Sequence, residues 1–286
     1  MSRCDMYQLA PQTHTQMMGY VIQTAEALIV VDGGTAGDAD YLLWLLRRLG
    51  GPRPRVTAWF LTHPHSDHVR AFYALMAEDS VDVDRVCLRF PPRNTLEIGE
   101  PRALPVWDDY QRLRPRLAEK EQLLQAGQRL RLGDTMWEVL RVCDPALTRN
   151  ASNNSSCVLR MITGGVTTLF LGDLGREGGD ALLAAHGPAL RSDIVQMAHH
   201  GQSAVRLEVY AAVRPQLCLW CAPKWLWENN QGQYGHDSGE WDILHTRAGM
   251  QALGVRRHAV AKDGAWKLTL ESGQFACTIF DPYAAQ

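Results

Sequence analysis

Short apolar runs separated by polar breaks dominate the chain, and their spacing predicts more strands than helices. Leucines recur at helical spacing over 38–49, where two glycines end the pattern. We expect further helices at 69–76, 107–124, 179–185 and 240–253. We expect strands at 19–23, 27–31, 56–61, 129–132, 137–142, 157–162, 167–171 and 193–198. These elements form two similar halves, which predicts an α/β protein with two packed sheets and helices outside.

Composition agrees with one large core. The apolar fraction is 46% and the chain contains nine Trp, enough to fill the interior of a large domain. We therefore expect residues 1–286 to form a single domain, in which the Trp-rich segment 222–286 completes the second half and borders the cleft. Seven Cys at scattered positions make no disulfide framework, and we interpret the close pair Cys218 and Cys221 as buried strand thiols.

Charge and hydropathy exclude several classes of partner. The 29 basic residues balance 31 acidic residues, so nothing draws the whole molecule to nucleic acid or to an anionic membrane. The first residues lack the apolar core of a signal peptide, and the longest apolar runs are too short to span a bilayer. We expect a cytoplasmic protein that acts on a small molecule.

The strongest chemical signal directly follows the predicted strand 56–61, where the chain reads His63-Pro64-His65-Ser66-Asp67-His68. Residues two apart in an extended loop point the same way, so His63 and His65 can share one metal ion. Asp67 and His68, at the start of the next helix, can face a second ion. Imidazole and carboxylate donors suit zinc, and also manganese or iron. An ordinary turn in which Asp67 only caps the helix is the alternative.

This loop resembles the HxHxDH motif of the metallo-β-lactamase superfamily, which implies a four-layer αββα sandwich. Two later segments are similar to that family as well: 167–173, a strand that ends in Gly-Asp, and 193–201, a strand that ends in His-His-Gly. Together with Asn153-x-x-Ser156, their order resembles the branch of phosphorylcholine esterases and the soluble domain of the competence DNA-uptake channel.

The resemblance implies further site residues. Asp173 would bridge both metal ions, and His200 would be a ligand of one of them. His199 would line the cleft or bond the substrate, and we place it with Asp67 among the catalytic candidates. Asp67 or a bound water could move a proton to the leaving group.

The chain departs from the family pattern in two places. No histidine lies between His68 and Asp173, so the ion held by His63 and His65 has one protein ligand fewer. Water, the substrate or the amides of Asn153 and Asn154 could complete it.

The second departure follows the motif, where Arg70 stands in a position that family members often give to glycine. Arg70 is either solvated or reaches toward an anionic substrate. Trp225 and Trp227 could form a wall that binds a quaternary ammonium group. Burial of these rings against the sheet is the alternative.

The resulting hypothesis is a hydrolase with two divalent metal ions that uses a bridging hydroxide, most simply a phosphodiesterase of small or head-group substrates. A nuclease like the competence-channel domain is one alternative. It would need a basic groove, for which the obvious source is Arg93, Arg102, Arg112, Arg114 and Arg116. A metal-binding or sensing protein without catalysis is the other alternative.

Overall fold

Two large β-sheets packed face to face organise the protein, whose computed structural model describes residues 3–281. The first sheet has the order β17-β16-β1-β2-β3-β5-β7-β8 and the second the order β15-β14-β13-β12-β11-β10-β9, while β4 and β6 form a separate pair. The strands are β1 (Cys4–Gln8), β2 (Gly19–Gln23), β3 (Leu28–Asp32), β4 (Arg55–Val56), β5 (Ala58–Leu61), β6 (Asp82–Val83), β7 (Val86–Leu88), β8 (Glu121–Leu123), β9 (Arg129–Leu132), β10 (Thr135–Arg141), β11 (Val158–Thr163), β12 (Val166–Phe170), β13 (Ile194–Gln196), β14 (Leu217–Trp220), β15 (Arg257–Val260), β16 (Ala265–Glu271) and β17 (Gln274–Phe280).

Helices cover the outer face of each sheet. The α-helices within the described range are α1 (Ala39–Gly50), α2 (Ser66–Ala77), α3 (Arg93–Gly99), α4 (Leu104–Leu117), α5 (Ala151–Asn154), α6 (Arg176–His186), α7 (Leu207–Val213), α8 (Lys224–Trp227) and α9 (Ile243–Ala252). Apolar faces of α1, α2 and α4 pack on the first sheet, and those of α6, α7 and α9 pack on the second. The result is the predicted αββα sandwich. Between residues 3 and 281, no helix is both long and apolar enough to cross a membrane.

The two halves share a topology that determines where side chains can converge. In each sheet three or four antiparallel strands are followed by parallel ones: β3, β5, β7 and β8 in the first, and β12, β13, β14 and β15 in the second. Parallel strands end at the same edge of a sheet, and loops at that edge are where ligands bind in such folds. Aromatic rings fill the space between the sheets, with Phe60 against Trp137 at 4.6 Å and Trp137 against Phe170 at 5.8 Å. Each such pair contributes about 0.5–1.5 kcal/mol beyond the apolar area it buries.

Three sequence predictions need correction. The predicted strand 56–61 is interrupted at Thr57, because Arg55–Val56 pairs outside the main sheet. The predicted helix 107–124 ends at Leu117, and Glu121–Leu123 is instead an edge strand paired with β7. The segment 222–286 does not complete the second half alone. It supplies β15 to the second sheet, but β16 and β17 join the first sheet beside β1.

Candidate metal centre

The HxHxDH loop joins β5 to α2 at the edge where the parallel strands end. His63 follows the buried strand and is itself fully buried. His65 has extended backbone and precedes the first turn of α2, which contains Asp67 and His68. An acidic side chain in the first helical turn is stabilised by the helix dipole.

A carboxylate from the neighbouring strand holds this loop in place. Asp32 ends β3, and its Oδ1 accepts the backbone N–H of Thr62 at 2.8 Å. Its Oδ2 accepts the Thr62 hydroxyl at 2.8 Å and lies 2.8 Å from Nδ1 of His68. The Thr62 hydroxyl is also 3.1 Å from Nδ1 of His63. These contacts occupy Nδ1 of both imidazoles, so each ring presents Nε2 to the centre.

Asp173 reaches the centre from the end of β12. The preceding Gly172 has φ +57°, and a Cβ there would lie 2.9 Å from Cβ of Ser156, so the turn requires glycine. The Ser156 hydroxyl accepts the N–H of Asp173 at 3.0 Å. The Gln196 amide bonds the backbone of Leu171 and Gly172 and so ties the ends of β12 and β13 together.

The paired histidines follow β13 in a strained turn. His199 and His200 both have left-handed backbone, with φ +51° and +58°, which is uncommon for residues other than glycine. His200 is buried, and its Nδ1 lies 3.0 Å from the carbonyl oxygen of Cys221. His199 is about a quarter exposed at 24%. The strained turn thus sends one imidazole inward and leaves the other at the surface of the centre.

Two groups of donor atoms meet at Asp173. One group comprises His63, His65 and Asp173, and the other comprises Asp67, His68 and His200, with the donor atoms of each group within 4.8 Å of one another. Oδ2 of Asp173 lies 3.8 Å from Nε2 of His63, 3.2 Å from Nε2 of His68 and 3.5 Å from Nε2 of His200. One carboxylate therefore touches both groups.

Burial and mutual charge shift the pKa values of these residues. Burial disfavours ionisation of Asp173, but His68 and His200 outweigh it and hold its pKa well below the ordinary value. Burial also disfavours the charged form of His200, yet the neighbouring Asp173 raises its pKa to about 9. For His63, burial and then His68 lower the pKa well below the ordinary value. Burial disfavours the charged form of His68 as well, but Asp173 and Asp32 outweigh it and raise its pKa well above the ordinary value.

Buried polar atoms without hydrogen bonds are a second observation that fits a metal site. In the part of the chain that is described, four buried polar atoms of the centre have no hydrogen-bond partner: Nε2 of His63, His68 and His200, and Oδ1 of Asp173. Unpaired buried polar groups are costly, and imidazole and carboxylate donors are the preferred ligands of zinc and similar ions. The second nitrogen of each of these imidazoles is already anchored, as is usual for metal-binding histidines.

Comparison with known proteins relates this centre to a family. A profile of the Metallo-beta-lactamase superfamily matches residues 18–110, which contain the HxHxDH loop. The matched segment and the observed fold agree with the predicted resemblance to this superfamily. The protein YhfI from Bacillus subtilis, a metallo-beta-lactamase fold protein, has a TM-score of 0.56 with it, at 14% identity over 92% of this chain and 99% of that chain. Zn(2+)-bound PqqB from Methylobacterium extorquens has a TM-score of 0.54, at 11% identity over 94% and 99%. At such low identities these likenesses show the fold.

Two curated relatives are consistent with the predicted competence branch of the superfamily. Competence protein ComA of Neisseria gonorrhoeae is 28% identical over 206 residues, which is 71% of this chain. ComE operon protein 3 of Bacillus subtilis (strain 168) is 30% identical over 116 residues, which is 40% of this chain. The matched parts span 25% and 14% of those two proteins.

Two predicted substrate residues are engaged elsewhere. Arg70 forms an ion pair with Asp109 of α4, so its guanidinium is directed to the helix layer. The Asn154 amide accepts the N–H of Gly178 at 2.9 Å and donates to Glu177, which ties it to the start of α6. Each polar group thus already has a protein partner, and a substrate contact of either residue stays a prediction.

The other predicted substrate residues, Asn153, Trp225 and Trp227, differ in the contacts they make. Asn153 is buried, and its Oδ1 has no hydrogen-bond partner among residues 3–281. Trp227 carries the Arg247 guanidinium on its ring at 4.0 Å, so a cation from this chain already occupies one face. Trp225 packs edge-on against Trp241 at 4.8 Å. A role of either ring as a pocket wall for a substrate stays a prediction.

Sequence reasoning missed two residues, Asp32 and Gln196, that form hydrogen bonds to the loops of the proposed ligands. Ser156, part of the predicted motif but without a predicted role, acts in the same way. A usable signal existed for Asp32, since it directly follows the predicted strand 27–31, and the structure pairs that strand with the strand of the HxHxDH loop. Glu100 was missed as well, although its Oε1 lies 2.8 Å from Nε2 of His65.

Proposed function

We propose that this protein is a binuclear metal-dependent hydrolase that cleaves phosphodiesters in small or head-group substrates. The observation that carries the proposal is the position of Asp173, whose Oδ2 lies within 3.8 Å of imidazole nitrogens from both donor groups. A shared carboxylate between two adjacent sites is what a two-metal hydrolase requires.

The distances between donor atoms divide the proposed ligands into two groups, one for each ion. His63, His65 and Asp173 would hold the first, and Asp67, His68 and His200 would hold the second, with Asp173 shared. Zinc suits these donors, and PqqB, which has the same fold, is described with zinc bound. Bound divalent ions would lower the pKa of water and neutralise charge that develops on the phosphoryl oxygens.

Side chains of the protein would orient the substrate and the proton. Oδ2 of Asp67 accepts a hydrogen bond from the Gln16 amide at 2.9 Å, and Gln202 donates in turn to Gln16 at 2.9 Å. This chain of hydrogen bonds fixes the carboxylate that we propose accepts a proton and passes it to the leaving group. His199, partly exposed beside Asp173, would donate to a substrate oxygen. The N–H of Ser203 bonds the carbonyl of Trp241, which brings the Trp225–Trp241 wall next to the His199 turn.

The surface charge favours a small substrate over a polynucleotide. Four of the five arginines that could form a basic groove are paired with carboxylates: Arg93 with Glu97 and Asp108, Arg102 with Glu100, Arg112 with Asp109, and Arg114 with Glu121. Polynucleotide binding depends on cations that are available to phosphates. Single-stranded DNA is included among the test substrates because the two relatives are named as proteins of competence.

The test is metal analysis of the purified protein, followed by turnover measurements. We expect two divalent ions per chain and hydrolysis of bis(p-nitrophenyl) phosphate and p-nitrophenylphosphorylcholine, with little turnover of a β-lactam or single-stranded DNA. A preference for DNA would favour the nuclease alternative. A metal-loaded protein that turns over none of these substrates would favour the sensing alternative, and a protein that binds no metal would refute the proposal.

A further inference from the structure

We infer that Glu100 is a positioning residue for the first metal ion, because it fixes the ring of His65 so that Nδ1 is the ligand atom. Oε1 of Glu100 lies 2.8 Å from Nε2 of His65. A carboxylate beside one imidazole nitrogen holds the proton on that nitrogen and leaves the other as an acceptor. The inference rests on the proposed function in one respect, since it takes the group bound by His65 to be a metal ion.

The surroundings of Glu100 make it a fixed carboxylate. It ends α3, and its side chain is only 5% exposed. Its Oε2 accepts the backbone N–H of Ser152 at 2.9 Å, and its Oε1 also accepts from Nε of Arg102 at 3.0 Å. A buried carboxylate is costly unless its oxygens are hydrogen-bonded, and these donors supply the bonds. The carboxylate is therefore held in place before any metal binds.

His65 differs from the other three imidazoles of the centre. His63, His68 and His200 are each anchored through Nδ1, by Thr62, Asp32 and Cys221 respectively, and each presents Nε2. In His65 the contact is reversed, because Glu100 occupies Nε2. The same rule of one anchored and one presented nitrogen then assigns Nδ1 of His65 to the metal.

His65 is also the imidazole that most needs an anchor. Its side chain is 17% exposed, whereas those of His63, His68 and His200 are at 0%. It belongs to the donor group that shares its carboxylate, Asp173, with the second group. An imidazole at an exposed position is free to rotate unless a partner holds it.

Direct ligation by Glu100 is the competing interpretation. Among residues 3–281, the donor atoms that lie within 4.8 Å of one another around the first ion come from His63, His65 and Asp173, and Glu100 is outside that group. Its two oxygens already accept hydrogen bonds from Ser152 and Arg102. A positioning role fits these contacts, and the two interpretations predict different results for Glu100→Gln, which keeps an acceptor oxygen but loses the charge.

The first experiment needs neither metal nor turnover. Long-range ¹H–¹⁵N NMR of histidine-labelled, metal-free protein at alkaline pH reports which nitrogen of each neutral imidazole carries the proton. We expect His65 to carry it on Nε2 in the wild type and to populate both tautomers in Glu100→Ala. A wild-type His65 protonated on Nδ1 would overturn the inference, whether or not the protein proves to be a hydrolase.

The second experiment measures the affinity of each metal site by titration with Co²⁺ and Zn²⁺ against a chelator. For Glu100→Ala we expect the first site to weaken by about 10- to 100-fold and the second site to be unchanged. Glu100→Gln, which keeps an acceptor oxygen, should lose less, while Glu97→Ala, which removes an exposed carboxylate of the same helix, should match the wild type. Equal losses of affinity in Glu100→Gln and Glu100→Ala would indicate that Glu100 is itself a metal ligand. Wild-type affinity in Glu100→Ala would show that Glu100 does not position His65. Either result overturns the inference.

Discussion

The imidazole of His68 lies between two carboxylates, with Nδ1 2.8 Å from Oδ2 of Asp32 and Nε2 3.2 Å from Oδ2 of Asp173. Asp32 is the end of one strand of the first sheet, and Asp173 follows a strand of the second. The ring therefore connects the two halves of the sandwich at the centre, and its orientation depends on Asp32.

Replacement of Asp32 by asparagine should impair the second metal site. The amide would donate to Nδ1 of His68, which moves the ring proton to Nε2 and blocks the ligand atom. We expect an affinity for the second ion about 10- to 100-fold lower, measured by competition with a chelator. Asp79→Asn, at an exposed position, is the control and should leave both affinities unchanged. Unchanged binding in Asp32→Asn would show that the anchor is dispensable.

Replacement of Asp173 by alanine should remove both metal ions and all turnover, because its Oδ2 lies near imidazole nitrogens of both donor groups. Metal content by mass spectrometry and hydrolysis of bis(p-nitrophenyl) phosphate measure the two effects. Asp84→Ala, which loses only a surface ion pair with Arg55, is the matched control. A variant with normal metal content and rate would refute the bridging role.

Variants of His199 and His200 should differ in effect, because one residue is proposed to bind metal and the other to contact the substrate. Glycine is the suitable replacement for both, since each has positive φ and glycine adopts it without strain. We expect His200→Gly to lose the second ion. His199→Gly should keep both ions but have a kcat/KM about 10- to 100-fold lower, the effect of one lost hydrogen bond to a charged group. The reverse pattern would exchange the two assignments.

Glu138 should make stability depend on pH in the acid range. Burial raises its pKa, but the hydrogen bonds and charge of Arg160, with Arg129 nearby, outweigh burial and lower the pKa below its ordinary value. A lowered folded-state pKa contributes stability that is complete above the unfolded-state pKa and is lost as the pH falls through the folded-state pKa.

Urea denaturation over a pH series measures this effect. Glu138→Gln should flatten the acid side of the stability profile, and the exposed Glu119→Gln should not. A wild-type slope in Glu138→Gln would assign the pH dependence to other groups.

The residues that converge at the centre could be predicted from the sequence because each of them lies in a short local pattern. A buried strand followed by HxHxDH, by Gly-Asp or by His-His-Gly specifies a strand end and the chemistry there. The residues that orient the ligands were not predictable in the same way. Asp32 is 36 positions from His68 and Glu100 is 35 from His65, so their contacts depend on strand pairing and on the packing of α3.

The middle of the chain shows a second limit. Residues 107–124 carry a helical pattern, yet the last part pairs with β7 as an edge strand. An edge strand with one polar side has weak periodicity in its sequence, so whether it forms depends on the strand with which it pairs. The same limit applies to β16 and β17, whose place beside β1 depends on the opposite end of the chain.

Strand β1 lies between β2, its neighbour in sequence, and β16, where the side-chain hydrogen bond from Thr269 to Asp5 joins residues 264 positions apart. On the ribosome, one edge of β1 therefore stays unpaired until residues 265–271 have emerged. Exposed strand edges promote pairing with other chains. Nascent chains stalled before β16 should consequently be the main source of aggregates, even though they already contain every proposed metal ligand.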